Sequence, residues 1–308
     1  MPRLASIDIG SNSMHLYVVD VHPDGSWNTV RLLRSSIRLG EGWKPNQQRI
    51  STEKMHAAIE AIAGFVSQAL LLNADAIQCS ATAALRDAEN RIEFESYFEK
   101  ELGHSLRVLS GVEEAAIVYK GTRAHVPGDI LMFDLGGRST ELVFGRESPA
   151  AACMSLPIGH LALFSICPYE QPVSDTNWQR LVQTATEYLE PINPFPGDNF
   201  ILCSPSGAVR TLARMAAYSR GETPKGRGSG LVLTEDALLA EVTHLQECDA
   251  LQLRNIPGGD ARRVDTLLAA AAIIHALMLR FSQFEVLASH GGLRDGLVME
   301  WAEGLEDG

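Results

Sequence analysis

The stretch Asp8-Ile9-Gly10-Ser11-Asn12-Ser13-Met14-His15-Leu16 recurs about one domain length later as Asp134-Leu135-Gly136-Gly137-Arg138-Ser139-Thr140-Glu141-Leu142. Both copies read D-x-G-x-x-S-x-x-L, and both follow an apolar strand, Leu4–Ile9 and Ile130–Phe133. Matching residues in matching context point to duplication of one unit. Glycine permits a tight turn between two strands. Successive turn N–H groups form an anion-binding nest, to which serine hydroxyls add donors. An aspartate at the strand end cannot bind phosphate, but it can hold a divalent cation or its waters. Two such turns facing each other would grip a phosphate chain and its metal from both sides.

Outward from these turns, strand and helix patterns alternate, which indicates an α/β class. In the first half, strands are expected at Met14–Val19, Arg31–Leu39, Ala76–Ser80 and Leu106–Leu109. Helices are expected at 52–72 and 90–102, and another starts at Glu113. Residues 121–128 read as a linker. In the second half a strand is expected at Phe200–Cys203, with helices at 176–189, 207–218, 234–246 and 264–281. A Gly-, Arg- and Lys-rich loop runs from Tyr218 to Gly230.

The 308 residues are 45% hydrophobic and 21% charged, a soluble globular profile that argues against disorder, coiled coil or collagen. The most apolar run, Leu267–Leu279, contains His275 and falls short of the ~20 residues that cross a bilayer. Met1–Ala5 runs straight into a strand and leaves no room for a signal peptide. Five scattered cysteines argue against a disulfide framework or a Cys-based zinc site. No membrane partner and a cytoplasmic location are therefore expected. The formal charge of −12 makes a nucleic-acid partner unlikely by composition, because that affinity comes from neutralising phosphates. An anionic ligand must then be met locally. Arg34, Arg38, Arg91, Lys120, Arg210, Arg214, Lys225 and Arg227 are candidates for a basic path. A homodimer is compatible with all of this.

Three further segments carry chemistry. In Ser80–Asn90, small residues surround Arg86, either a bidentate phosphate fork or a solvated arginine paired with Asp87 or Glu89. Ser110-Gly111-Val112-Glu113 is a capping box at a helix start. Glu114 then projects about 100° away, either free to deprotonate a water or simply favoured by the helix dipole. Ser204-Pro205-Ser206-Gly207 joins a strand to a helix, either as an anion site or as plain capping by Ser206. Gly291-Gly292-Leu293-Arg294 is a late glycine turn that could shape a cleft wall or cap the last helix. No HExxH and no Gly-x-Ser-x-Gly occurs, so neither a zincin nor a nucleophile-elbow hydrolase is indicated.

Taken in order, these segments resemble the exopolyphosphatase / guanosine pentaphosphate phosphohydrolase family. The match runs through Ser6–His15, Ala81–Asn90, Leu109–Ala115, Asp134–Glu141, Ser155–Gly159 and Gly292–Gly296. The resemblance implies an α/β fold of two ribonuclease-H-like lobes, of the actin/HSP70/sugar-kinase superfamily, with an interlobe cleft. The lobes are expected at 1–124 and 125–308. It also implies Glu114 as catalytic base, and Asp8, Asp134 and Glu141 around a divalent metal, Mg²⁺ or Mn²⁺. Gly10, Ser11, Asn12, Ser13, Arg86, Gly136, Gly137, Arg138, Ser139, Ser206 and Gly207 would bind phosphate. The implied reaction is attack of water on the terminal phosphate of inorganic polyphosphate. Guanosine pentaphosphate is the alternative substrate, and a degenerate, non-catalytic phosphate or nucleotide binder is the alternative of a different kind. A sugar kinase is disfavoured by the Glu114 context. Departures from the family pattern feed the degenerate reading: Arg138 replaces a loop glycine, Ser204 and Ala208 alter the G-x-S-G-T turn, and Ala270 stands where a glycine is usual.

Overall fold

The computed structural model describes residues 1–44, 46–146, 152–193 and 200–306. The chain divides into two compact units, Met1–Gly121 joined by the segment from Leu293 onward, and Thr122–Gly292.

The first unit opens with β1 (Arg3–Ile9), β2 (Met14–Val21) and β3 (Trp27–Ser35), followed by α1 (Thr52–Leu71), β4 (Ala76–Ala81), α2 (Ala83–Arg86), α3 (Arg91–Leu102), β5 (Leu106–Val108) and α4 (Gly111–Arg123). Its sheet order is β3-β2-β1-β4-β5. The first two strands are antiparallel to their neighbours, whereas β1, β4 and β5 run parallel. Capping and spacing make α1 a helix. The Ser51 side chain accepts from the Lys54 N–H, and Met55, Ala58, Ile59, Ile62, Phe65, Val66 and Ala69 form one buried stripe. Gly103 ends α3 with φ of 68°, a left-handed cap that favours glycine.

The third strand lies four residues earlier than the expected Arg31–Leu39. Apolar alternation marks a strand without fixing its ends; here pairing of Ser35 with Met14, the first residue of β2, stops it. The chain beyond Ser35 turns back, and the Gly40 N–H reaches the Ser11 carbonyl at 3.4 Å.

The second unit contains β6 (Ile130–Leu135), β7 (Thr140–Gly145), β8 (Ala152–Leu156), α5 (His160–Ile166), α6 (Asp175–Leu189), β9 (Ile201–Ser204), α7 (Gly207–Ser219), β10 (Val232–Thr234), α8 (Glu235–Glu247), α9 (Ala250–Asn255), a 3-10 turn at Val264–Thr266, α10 (Leu267–Phe281) and β11 (Glu285–Ala288). Its sheet order is β10-β11-β9-β6-β7-β8. Read from β8, the sequence β8-β7-β6-β9-β11 repeats the connectivity of the first sheet, with antiparallel meander first and parallel strands after. The expected duplication of one α/β unit is therefore the observed fold.

Helix α10 forms the centre of the second core, with Leu267–Ile274 buried throughout. With its 3-10 turn the segment Val264–Phe281 has 18 residues, longer than the apolar run counted in the sequence. Among the described residues it is the one helix long and apolar enough to cross a membrane, but it is mostly buried in this core. His275 stacks on Trp178 and lies 3.1 Å from Glu235 Oε1, a structural use of the lone histidine.

The last helix, α11 (Leu293–Glu306), packs in the first unit, whereas the expected second lobe ran through to 308. Val298 joins Leu4, Tyr17, Val19 and Val21 in one apolar cluster. Gly296 lies against the Ile117 carbonyl of α4, where a Cβ would collide. Glu300 accepts from Arg107 at 2.9 Å, and Lys120 pairs with Glu303.

Candidate active site

The two glycine turns are copies in geometry as well as in sequence. The Gly10 N–H donates to the Ser13 carbonyl at 3.1 Å, and the Gly136 N–H to the Ser139 carbonyl at 3.0 Å. Neither glycine has a positive φ. Close approach favours glycine instead, because a Cβ would sit 3.0 Å from the Ser13 oxygen and 3.1 Å from that of Ser139, tighter than an ordinary contact. Ser11, Asn12, Ser13, Arg138 and Ser139 are all buried.

Behind the second turn stands α5. The His160 N–H donates to the Gly136 carbonyl at 3.1 Å, and the Leu161 and Ala162 N–H groups donate to the Gly137 carbonyl at 2.8 and 3.1 Å. The free donors of this helix start are thereby consumed. Gly159 makes the docking possible, since a Cβ there would fall 2.5 Å from the Arg138 nitrogen. In a trans peptide the N–H points opposite to the C=O. The Gly137 and Arg138 N–H groups therefore point away from α5, as adjacent donors suited to an oxyanion. His160 Nδ1 also lies 2.9 Å from Thr266 Oγ1, which bonds the Arg263 carbonyl at 3.3 Å. The turn is thus tied to the 3-10 segment before α10.

Identical register gives the two strand-end aspartates different partners. Asp134 faces Glu141, and Asp8 faces His15. Glu141 is 1% exposed and accepts from Ser155 Oγ at 2.8 Å. His15 Nδ1 lies 3.5 Å from Asp8 Oδ2. Burial pushes the imidazole below its ordinary pKa; Asp8 opposes this, and Arg294 and Arg34 reinforce it. Within the second unit the hairpin register sets Asp134 opposite Glu141. Asp134 with Glu141 is a pair of hard oxygen donors. That suits Mg²⁺ or Mn²⁺, because a hard cation of this kind is commonly bound by one or two carboxylates, with waters and substrate phosphates completing its shell.

Backbone bonds gather the remaining first-unit residues at the C-terminal edge of the parallel strands, where α/β sheets bind ligands. The Thr82 N–H reaches the Ile9 carbonyl at 3.3 Å, and the Leu109 N–H the Ala81 carbonyl at 2.9 Å. The capping box forms as expected: Ser110 N donates to Glu113 Oε2 at 2.8 Å and Glu113 N to Ser110 Oγ at 3.2 Å. Glu114 is not left free by it. Arg86 Nη1 donates to Glu114 Oε2 at 2.7 Å and to the Leu109 carbonyl at 3.2 Å. Arg86 Nε also lies 3.6 Å from Asp87. Glu89, the other acid considered for Arg86, accepts from the Gln48 N–H at 3.0 Å. Arg86 and the 7%-exposed Glu114 are therefore one partly buried ion pair.

The turn after β9 uses both its serines on the backbone. Ser204 Oγ accepts from Ser206 N at 3.1 Å, and Ser206 Oγ caps α7 through Val209 N at 3.3 Å. Gly207 is reserved by a residue the sequence reading passed over: the Arg263 guanidinium lies where its Cβ would stand. Burial, reinforced by the charges of Arg210 and Arg262 and opposed by Asp260 and Asp134, brings the Arg263 pKa down to about 10. A guanidinium beside a helix N-terminus puts two positive ends together, an arrangement that favours an anion there. Ala208 is buried in the first turn of α7. Ala270 is a core residue of α10 rather than part of a turn.

The family model for the Ppx/GppA phosphatase family matches residues 18–304. A Vibrio cholerae protein named guanosine-5'-triphosphate,3'-diphosphate pyrophosphatase is 30% identical over 99% of this chain and 60% of its own length. The chain thus spans about three fifths of the curated relatives it matches. Among solved structures, an Aquifex aeolicus Ppx/GppA family member shares the fold at TM-score 0.79 and 24% identity, over 99% of this chain and 98% of its own. An exopolyphosphatase from Cytophaga hutchinsonii does so at TM-score 0.88 and 22% identity, over 98% of each chain. With a family model covering nearly the whole length, and twin hairpins built to one pattern, this chain belongs to the Ppx/GppA phosphatase family.

Proposed function

We propose that the protein is a phosphohydrolase that removes the terminal phosphate of inorganic polyphosphate by attack of water. The observation that carries this reading is the pair of closed glycine turns, one with a partly buried carboxylate–arginine pair in its unit and one with a half-buried and a buried carboxylate at its base. The backbone N–H groups of Gly137 and Arg138, with the Ser11, Ser13 and Ser139 hydroxyls, supply donors for the phosphoryl oxygens. Asp134 and Glu141 would hold the divalent cation, which would neutralise charge on the phosphate.

Glu114 is the group that takes a proton from the attacking water. Its bond to Arg86 holds it in place. A substrate phosphate competes for the same guanidinium, because Arg86 can fork to phosphate as well as to carboxylate. Substrate binding would thereby loosen the pair and release the Glu114 carboxylate to the attacking water.

The second reading is hydrolysis of guanosine pentaphosphate, favoured by the name of the Vibrio cholerae relative. Phosphate release from polyphosphate, guanosine pentaphosphate and ATP, with and without Mg²⁺, tests both readings. Release from polyphosphate supports the first and release from pentaphosphate alone the second. No release from any substrate leaves the non-catalytic binder.

A further inference from the structure

The chain carries 26 basic and 38 acidic residues, yet the stretch from Arg210 to Gly230 holds five basic residues against one acid, Glu222. The structure separates the candidates for a basic path. Arg38 lies 3.3 Å from Glu41, Arg91 bonds Glu95 at 2.8 Å, and Lys120 pairs with Glu303. Arg34 belongs to the His15 hairpin. The four that remain, Arg210, Arg214, Lys225 and Arg227, sit together on α7 and on the loop that follows it.

That loop is held in place rather than hung from its ends. Gly228 has a φ of +90° and lies so close to α7 that a Cβ would fall 2.5 Å from the Arg210 carbonyl. The Gly230 N–H bonds the Ala288 carbonyl at 2.6 Å, fastening the loop to the end of β11. On the other flank, Arg214 donates to the Gly258 and Gly259 carbonyls at 2.6 and 3.1 Å, so the segment leading to Arg263 packs against the same helix. Arg227 adjoins the anchored glycine, one turn from the Ser206–Gly207 helix start, and Lys225 lies two residues before it. Both are exposed. The acid of this loop, Glu222, is taken up by Arg220 at 2.8 Å.

We propose that Lys225 and Arg227, on the loop anchored to α7, form a subsite for the distal phosphates of a linear polyphosphate. This deepens the polyphosphate reading and rests on it. A linear polyanion repeats its charge along its length and suits cations set out along a surface. Tripolyphosphate has only two phosphates beyond its reacting end and so offers this loop the least to hold.

The test is equilibrium binding of long-chain polyphosphate and of tripolyphosphate to the full chain by calorimetry. Three proteins are compared: the parent, K225A/R227A, and K44A/K100A, which removes the same charge from exposed sites in the first unit. The subsite predicts that K225A/R227A weakens long-chain binding about tenfold, the sum of two exposed charge contacts. It predicts unchanged tripolyphosphate binding, and no long-chain loss in K44A/K100A. Unchanged long-chain affinity, equal losses for both chain lengths, or an equal loss in the control overturns the subsite. Phosphate release from the same preparations judges the hydrolase reading separately: a parent protein that binds long chains through this loop but releases nothing overturns that reading and leaves the subsite standing.

Discussion

The hairpins at Asp8 and Asp134 close with hydrogen bonds that agree within 0.1 Å, at 3.1 and 3.0 Å, yet they carry opposite chemistry. At the second, the residue seven positions on is Glu141, and two carboxylates share the strand end. At the first it is His15, kept toward its neutral form by burial among arginines. The third parallel strands diverge in the same way. β5 leads into the capping box and Glu114, whereas β11 leads into Ser289-His290-Gly291-Gly292. Duplication preserved what the backbone needs: a glycine close to a serine carbonyl, with an antiparallel strand on one side of the leading strand and a parallel strand on the other. The side chains carried on that backbone were free to specialise.

The sharpest way to break this comparison is at Glu114, which has an acid counterpart at neither glycine of the β11 turn. Glu114→Gln removes the proposed proton acceptor and should lower the rate of phosphate release by roughly 10²–10⁴. Substrate affinity should be kept or rise, because Arg86 keeps its charge and the carboxylate that competes with phosphate for it is gone. Parent-level turnover would show that another group receives the proton.

The next largest effect concerns the carboxylate pair. Glu141→His gives the second hairpin the chemistry of the first. It should weaken the Mg²⁺ response of phosphate release by about tenfold or more. His15→Glu is the reverse exchange and should leave that response unchanged. If both exchanges leave the Mg²⁺ titration where it was, the register difference has no role in holding a cation.

Arg138 tests the turn itself. Its counterpart in the first copy is Asn12, so Arg138→Asn makes the two turns more alike. The lost charged donor should raise KM for the phosphate substrate by about tenfold, with little change in kcat. A lower KM would instead mean that the guanidinium occupies the position of the terminal phosphate. If KM and kcat are both unchanged, the side chain points away from the ligand.

Much of this was legible because the decisive signals were local. D-x-G-x-x-S marks a turn between strands wherever it occurs, and Ser110 with Glu113 marks a helix start. Other elements were illegible for physical reasons. β8 is half-buried along its whole length and shows no alternation of inside and outside. α5 has seven residues and no side-chain cap, and its start is defined by carbonyls of a turn more than twenty residues earlier in the chain. Helix α11 has no strong apolar stripe in its sequence, and surfaces on β1, β2 and α4 decide where it packs. The Arg86 partner of Glu114 is not legible in the capping box, which says nothing of what lies across the sheet edge. Arg263 follows Arg262 directly, and nothing local separates the exposed member from the one laid over Gly207.

The smallest effect belongs to the acid that holds those two arginines, and it separates the second unit from the first. Asp260 accepts from Arg262 Nε at 2.8 Å and lies 3.7 Å from Arg263 Nε. Partial burial works against its charge. The bonds from the Arg262 side chain and N–H, with the positive charge of Arg262 and Arg263, outweigh it and hold the carboxyl down at about 2. A carboxylate with a depressed pKa stabilises the folded state above its unfolded value of 3.8, and that contribution fades as pH falls toward 2. Asp260→Asn should therefore lower Tm at neutral pH, and the gap to the parent should close between those two values. Because the pair is partly open to water, its worth is below about 1 kcal/mol, so the expected shift is only about 1–2 °C. A gap that stays constant down to pH 2 would mean that Asp260 supports Arg263 through shape rather than charge. Arg263 would then owe its position over Gly207 to packing against α7 alone.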